Sequence, residues 1–282
     1  MKIILSGSSG FLGSAVGTHF LNSSTDPKHG VHKDEIRTIP RDMLNDRWGL
    51  QRFFEEEKPD YILHFSAYGN HSFQKDLDET ILANLQHLSN LLNASKSVDY
   101  KLFVNTSTSS IFLPNQTFYS STKKCGQDIC EIFAKENSKR IVSIQPLSVY
   151  GPGEAPFRFI PTVIQSALKG EFFNLVEEPS HDWLYIDDFV SGLETVMNTL
   201  TTGNVAIGTG TQYTNKEVVE IIEQIHQSKV WYNKVESLRS YDTENWEVNV
   251  DRIYHLGWKP EFSLYKGLLK VYEKYAHTQM AQ

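Results

Sequence analysis

Tyr119 and Lys123 stand four residues apart in "FYSSTKK". On a helix this spacing puts a phenol and an ammonium on one face. There the positive charge lowers the phenol's pKa and suits it to general acid or base work on a ketone or a sugar hydroxyl. Taken alone, such a pair reads first as a surface contact and only second as a catalytic pair. Upstream, "LFVNTSTSSIF" carries a run of hydroxyls from Thr106 to Ser110. At the carboxyl end of a parallel strand they would face a ligand; as a Ser/Thr-rich loop they would only make local turns. At the N-terminus "IILSGSSGFLG" sets Gly7, Gly10 and Gly13 three residues apart, directly after an apolar run. A glycine turn beneath a helix N-terminus offers backbone N–H groups and the helix dipole to a pyrophosphate. The spacing is not the literal G-x-G-x-x-G fingerprint, and the other reading is a plain surface turn.

These groups need elements to position them. Apolar runs predict strands at Lys2–Leu5, Ile36–Ile39, Tyr61–Ser66, Leu102–Asn105 and Ile141–Gln145. Amphipathic stretches between them predict helices over Leu12–Leu21, Trp48–Lys58, Thr80–Ala94 and Ser121–Lys135. Strands alternating with helices imply right-handed crossovers and a parallel sheet covered on both faces. "PDYILHFSA" reads as a strand buried on both faces. The short distance from the second strand to Pro59 implies an abbreviated crossover. After Tyr150 the pattern changes: "YGPGEAP" reads as a loop and "RFIPTVIQSALKG" starts a helix, with Pro161 in its first turn. The expected division is residues 1–150 as a nucleotide-binding domain and 151–282 as a smaller mixed lobe, partly threaded back onto the sheet.

With 282 residues, 40% hydrophobic and 22% charged, the chain has the composition of a globular protein. A net charge of −7 argues against nucleic acid as a partner. Cys125 and Cys130 are five apart, unsuited to a zinc knuckle, and read as free thiols in a reducing compartment. No metal site, signal segment or membrane span is expected, and a cytoplasmic location follows from this reading.

In order, the glycine turn, the hydroxyls after a central strand and the Tyr-x-x-x-Lys pair resemble the extended short-chain dehydrogenase/reductases, the NAD-dependent epimerase/dehydratase family. The resemblance runs over nearly the whole chain, through "PDYILHFSA", Asn84 in "ILANLQHLSNLL", "PLSVYGPGE", "HDWLYIDDFVSGL", "VAIGTGTQYTNKEVVE" and "LGWKPEFSLYKGL". It implies a Rossmann-type doubly wound parallel α/β sheet with a smaller mixed α/β substrate lobe at the C-terminus, and one short strand beyond those counted above. Tyr119 becomes the acid/base and Lys123 the residue that lowers its pKa and holds the nicotinamide ribose. Thr108, with Ser107 as second choice, becomes the hydroxyl that bonds the reacting sugar oxygen. Gly7, Ser9, Gly10, Phe11, Leu12 and Gly13 are implied at the pyrophosphate, with Ser66, Ala67, Asn84 and Pro146 also at the cofactor. A homodimer is expected through the apolar stripes of Thr80–Ala94 and Ser121–Lys135, on resemblance alone.

Departures from the family pattern sharpen the reading. The arginine usual before the "D-W-h-Y" segment is His181, so substrate diphosphate contacts fall to His181, Arg158 or Arg239. No Asp ends the second strand; "TIPRDM" supplies Arg41 and Asp42, and an arginine there suits a 2′-phosphate, favouring NADP(H) over NAD(H). Arg41 as a solvated loop residue stays open. Sugar 4,6-dehydratases follow the catalytic Thr with Asp and Glu, whereas Thr108 is followed by Ser109 and Ser110. Dehydration is therefore disfavoured. The expectation is an oxidoreductase acting at C4 of a nucleotide-activated sugar. Reduction of a 4-keto sugar nucleotide comes first, as in the CDP-paratose and CDP-abequose synthases, and 4-epimerisation with held NAD second. A non-catalytic dinucleotide-sensing relative comes third.

Overall fold

Burial on both faces shapes the central sheet. The computed structural model describes residues 1–23, 35–237 and 246–280. β1 (Lys2–Ser6), β2 (Glu35–Ile39), β3 (Tyr61–His64), β4 (Leu102–Thr106) and β5 (Ile141–Pro146) pair in parallel, and every residue of β3, β4 and β5 is buried. The near-continuous apolar runs are thus those of strands covered on both sides. A sixth strand, β10 (Gly203–Ile207), lies beside β5, giving the order β10-β5-β4-β3-β1-β2. From β1 the chain first adds β2 on one side, then returns to add β3 on the other. The order therefore reverses at β1 and β3, whose carboxyl ends open a crevice.

The crossovers are α1 (Phe11–Ser23), α2 (Arg47–Glu57), a composite helix and α5 (Phe118–Asn137). The composite helix runs through α3 (Leu77–Ile81), a π-helical turn Leu82–Gln86 and α4 (His87–Ser95). Among the described residues no strand falls between β2 and β3. That crossover is a 3-10 turn, Asp42–Asn45, and α2, capped by Asp46 on Gly49 N at 2.9 Å. The extra short strand implied by the family is not there; it is β10, late in the chain, that completes six. The strand expected to reach Ser66 stops at His64, because Gly7 packs on the Ser66 backbone. Helix α5 begins three residues earlier than its apolar pattern suggests, which places Tyr119 inside it. Ile4, Leu50, Phe54, Ile62, Leu91 and Phe103 centre the core on one face of the sheet.

Two compact units result. The first comprises residues 1–111, 116–146 and 193–206; the second comprises 112–115, 147–192 and 207–282. The second holds three two-stranded pairs: β6 (Ser148–Tyr150) with β9 (Trp183–Tyr185), β7 (Phe173–Leu175) with β12 (Tyr232–Lys234), and β8 (Ser180–His181) with β11 (Tyr213–Thr214). Its helices are α6 (Phe159–Lys169), the first half of α7 (Ile186–Asn198), α8 (Asn215–His226), α9 (Asp251–His255) and α10 (Leu264–Met280). Two acids of "HDWLYIDD" hold this unit together. Asp182 accepts bonds from Thr209 N (2.9 Å), Thr209 Oγ1 (2.8 Å) and Gly210 N (2.6 Å). Asp188 accepts from Glu261 N (2.8 Å) and Phe262 N (3.1 Å). Replacing Asp182 by Ala strands these donors, and a loss of about 2–3 kcal/mol in urea denaturation is expected.

Candidate active site

The crevice at β1 and β3 is lined first by backbone. Gly7 has φ +75°, and a Cβ there would lie 2.5 Å from Ser66 N and 2.6 Å from the Phe65 carbonyl carbon. Gly10 N donates to Gly7 O at 3.1 Å, and a Cβ on Gly13 would strike that same oxygen. Gly7, Gly10, Gly13 and Ser66 are thereby brought together, with exposed Ser9 at the tip and Phe11 and Leu12 opening α1. Ala67 continues the chain after Ser66 and is exposed. The residue types follow from the geometry: only glycine tolerates the φ of residue 7 and the approach at residue 13.

Beside the turn, the carboxyl ends of β3 and β4 and the first turns of α5 carry the polar groups. α5 starts with a reciprocal capping box: Ser120 N donates to Thr117 Oγ1 at 3.2 Å, and Thr117 N to Ser120 Oγ at 2.8 Å. The box fixes the helix phase, so Tyr119 and Lys123 occupy one face a turn apart. Asn84, inside the π-helical turn, donates to Thr122 Oγ1 (3.0 Å) and Tyr68 O (2.9 Å) and accepts from Tyr68 N (3.0 Å). Its amide is spent on tying the loop after β3 to α5. A position predicted at the cofactor thus works here as a brace.

Lys123 is 4% exposed. Among the described residues no carboxylate pairs with it, and burial pulls its pKa down to about 8. The Cys130 thiol nearby is itself pushed up to about 12 by burial and stays neutral. His64, bonded through Nδ1 to Ser6 Oγ at 2.7 Å, is pulled down to about 3, by burial first and then by the Lys123 charge. Its Nε2, Thr106 Oγ1 and Ser107 Oγ are buried without a hydrogen-bond partner among the described residues. Thr108 Oγ1 donates to Ser110 Oγ (3.1 Å) and accepts from Ser110 N (3.2 Å), which starts the 3-10 turn Ser109–Phe112. Pro146 ends β5 in the same unit.

Arg41 follows β2, with its guanidinium 73% exposed and 3.2 Å from Glu79; Asp42 begins the next turn and is exposed. Arg158 and His181 belong to the second unit, Arg158 as N-cap of α6 and His181 packed between Trp183 (5.0 Å) and Trp246 (5.4 Å). Arg239 lies outside the described residues. The orphaned Thr106 opens the hydroxyl run read from sequence, whereas His64 has no such motif; a polar residue closing an otherwise apolar strand is its only signal. Neither cysteine is paired. Among the described residues no cluster of metal-ligating side chains occurs, and no helix is long and apolar enough to cross a membrane.

Comparison with known proteins defines the class. Residues 3–208 match the NAD dependent epimerase/dehydratase family, and the chain belongs to it; it is an enzyme of that family. The chain is 24% identical to the probable GDP-L-fucose synthase 1 of Oryza sativa subsp. japonica, covering 98% of this chain and 92% of that protein. It is 26% identical to the CDP-abequose synthase of Salmonella muenchen, over 96% of each. The fold matches that of the Thermus thermophilus UDP-glucose 4-epimerase, solved with NAD, at a TM-score of 0.84 and 19% identity over 98% and 99% of the two chains.

Two outcomes follow from this geometry. Gly7→Ala is expected to weaken dinucleotide binding at least tenfold in calorimetric titration, because its Cβ meets the Ser66 backbone. The second concerns Lys123, whose pKa lies near 8 against 10.5 for a free lysine. Between those values the unfolded chain holds the proton more tightly, so stability rises with pH across that window. Cofactor-free Lys123→Met is expected to melt above the wild type below pH 8, with the margin closing as pH climbs the window.

Proposed function

We propose that the enzyme reduces the 4-keto group of a nucleotide-activated deoxy sugar, with Tyr119 as proton donor, Lys123 beside it and Thr108 or Ser107 on the sugar oxygen. The observation that carries this reading is the buried Lys123 ammonium, uncompensated one turn after Tyr119 at the carboxyl edge of the sheet. A nicotinamide dinucleotide fits the residues present. The Gly7 turn on Ser66 admits a pyrophosphate to the backbone, and the first N–H groups of α1 have no intrahelical acceptor. Lys123 and Ser107 hold unspent hydrogen-bonding capacity for ribose and amide groups. When bound, the nicotinamide supplies the hydride.

The chain's own part is the proton. Tyr119 gives its hydroxyl proton to the alkoxide forming at sugar C4, and the Lys123 charge stabilises the phenolate left behind. Thr108, fixed by its two bonds to Ser110, orients the oxygen. Ser109 and Ser110 stand where a dehydratase needs two carboxylic acids, so no group in this turn removes a C5 proton or expels water. The relationship to CDP-abequose synthase supports the reductive direction. For the cofactor's ribose, the Arg41 guanidinium after β2 supports NADP(H), held by Glu79 at 3.2 Å with most of its surface exposed.

Nucleotide 4-keto-6-deoxy sugars and UDP-hexoses assayed with NADH and NADPH test the proposal. Net oxidation of the reduced nicotinamide by a keto sugar, faster with NADPH, is expected. Isomerisation of a UDP-hexose without net oxidation would assign the epimerase instead. Tyr119→Phe is expected to lower kcat about 10²–10⁴-fold with nucleotide affinity retained; full turnover in that variant would refute the acid/base role.

A further inference from the structure

Residues 151–158, "GPGEAPFR", contain a carboxyl group that the reaction above leaves unused. Glu154 is 9% exposed, and its Oε2 is buried without a hydrogen-bond partner. Its Oε1 lies 3.6 Å from Nε of Arg158. The charged and titratable groups that bear on it are Arg158, at the N-cap of α6, and the Tyr275 phenol on α10. The loop is tied down: Glu154 N donates to Gly151 O (3.2 Å), Arg158 N to Ala155 O (3.0 Å) and Gln165 Nε2 to Pro156 O (3.1 Å).

This arrangement grips the guanidinium by one edge. Nε faces Glu154, while the two terminal nitrogens make no ion pair among the described residues and the side chain is 38% exposed. That fork is the part of an arginine that matches a phosphate. A carboxylate in the position of Glu154 is costly, because burial strips its water and a single arginine edge offsets only part of the loss.

We infer that Glu154 is a proton-linked positioning residue, which holds Arg158 with its fork presented to the diphosphate of the nucleotide sugar and takes up a proton from solvent when that diphosphate binds. The inference rests on the nucleotide-sugar reading above. The logic is electrostatic. A diphosphate arriving at Arg158 draws on the charge that stabilised the Glu154 carboxylate, and the buried carboxylate then does better neutral. Burial already pushes Glu154 up to about 7 in the free protein. The bound state titrates higher still, so affinity is greatest below neutrality and falls as pH rises, by up to tenfold per pH unit. When the nucleotide leaves, the proton returns to solvent.

Calorimetric titration of the full chain with UDP-glucose, CDP-glucose, GDP-glucose and dTDP-glucose tests this, just above neutral pH, in two buffers of unlike ionisation enthalpy. Their diphosphate diesters do not titrate near neutrality, so buffer-dependent heat reports the protein's own proton. The expected result is uptake approaching one proton per nucleotide sugar in the wild type. In Glu154→Gln, binding persists with no uptake and a flattened pH dependence. Arg158→Ala is expected to weaken binding at least tenfold. Binding by the wild type without uptake overturns the proton linkage, and this arm needs no variant to fold. Uptake that survives in Glu154→Gln overturns the assignment to this residue. Unchanged affinity in Arg158→Ala overturns the diphosphate contact. Failure of all four sugars to bind removes the nucleotide-sugar reading itself.

Discussion

Burying an ammonium without a carboxylate to answer it costs several kcal/mol, and α5 buries Lys123 with none among the described residues. Much of the first unit can be understood as the apparatus that makes the burial tolerable and places it. The Thr117–Ser120 capping box sets the phase of α5, so that a turn of slippage cannot carry Lys123 into water. Asn84 braces the same helix to the loop after β3 from within a π-helical turn. The neighbouring titratable groups are held neutral: His64 titrates near 3 and Cys130 near 12. A second positive charge is thereby kept away from Lys123. At the same sheet edge, hydroxyls of Thr106 and Ser107 and the His64 Nε2 keep unspent bonds, groups suited to a polyhydroxylated ligand.

Much of this was legible in the chain because it is written locally. Apolar continuity in "YILH" and "LFVNT" requires strands covered on both faces, and the glycine spacing requires a tight turn before a helix. Other features come from tertiary arrangement and leave little trace in the sequence. Gly7 touches Ser66 because the strand order reverses between β1 and β3, and the two residues are far apart in the chain. The capping box uses Ser120 where Glu or Gln is the usual signal, so the apolar pattern, which starts at Ser121, misses the first turn of α5 at Phe118. The π-helical turn keeps an apolar pattern close to that of an ordinary helix, so periodicity does not announce it.

Acidic residues show the same limit from the other side. In sequence, Asp182 and Asp188 of "HDWLYIDD" look as suited to chemistry as any carboxylates in the chain. In the structure both oxygens of each are occupied, chiefly by backbone N–H donors. An acid so saturated stays put, although burial pushes both carboxyls above the usual carboxylate range; its work is to hold the second unit together. Glu154 in "YGPGEAP" looks like a solvated loop residue, yet it is buried with one oxygen unfilled. Hydrogen-bond accounting separates the two cases where residue type cannot, since buried polar groups in a finished structure are normally paired. By that accounting Thr106, Ser107 and His64 at the sheet edge and Glu154 in the second unit are among the groups with capacity left over. A group that folding leaves unpaired in the interior is one whose partner folding does not supply; under the function proposed above, ribose hydroxyls would answer the first set and a diphosphate acting through Arg158 the last.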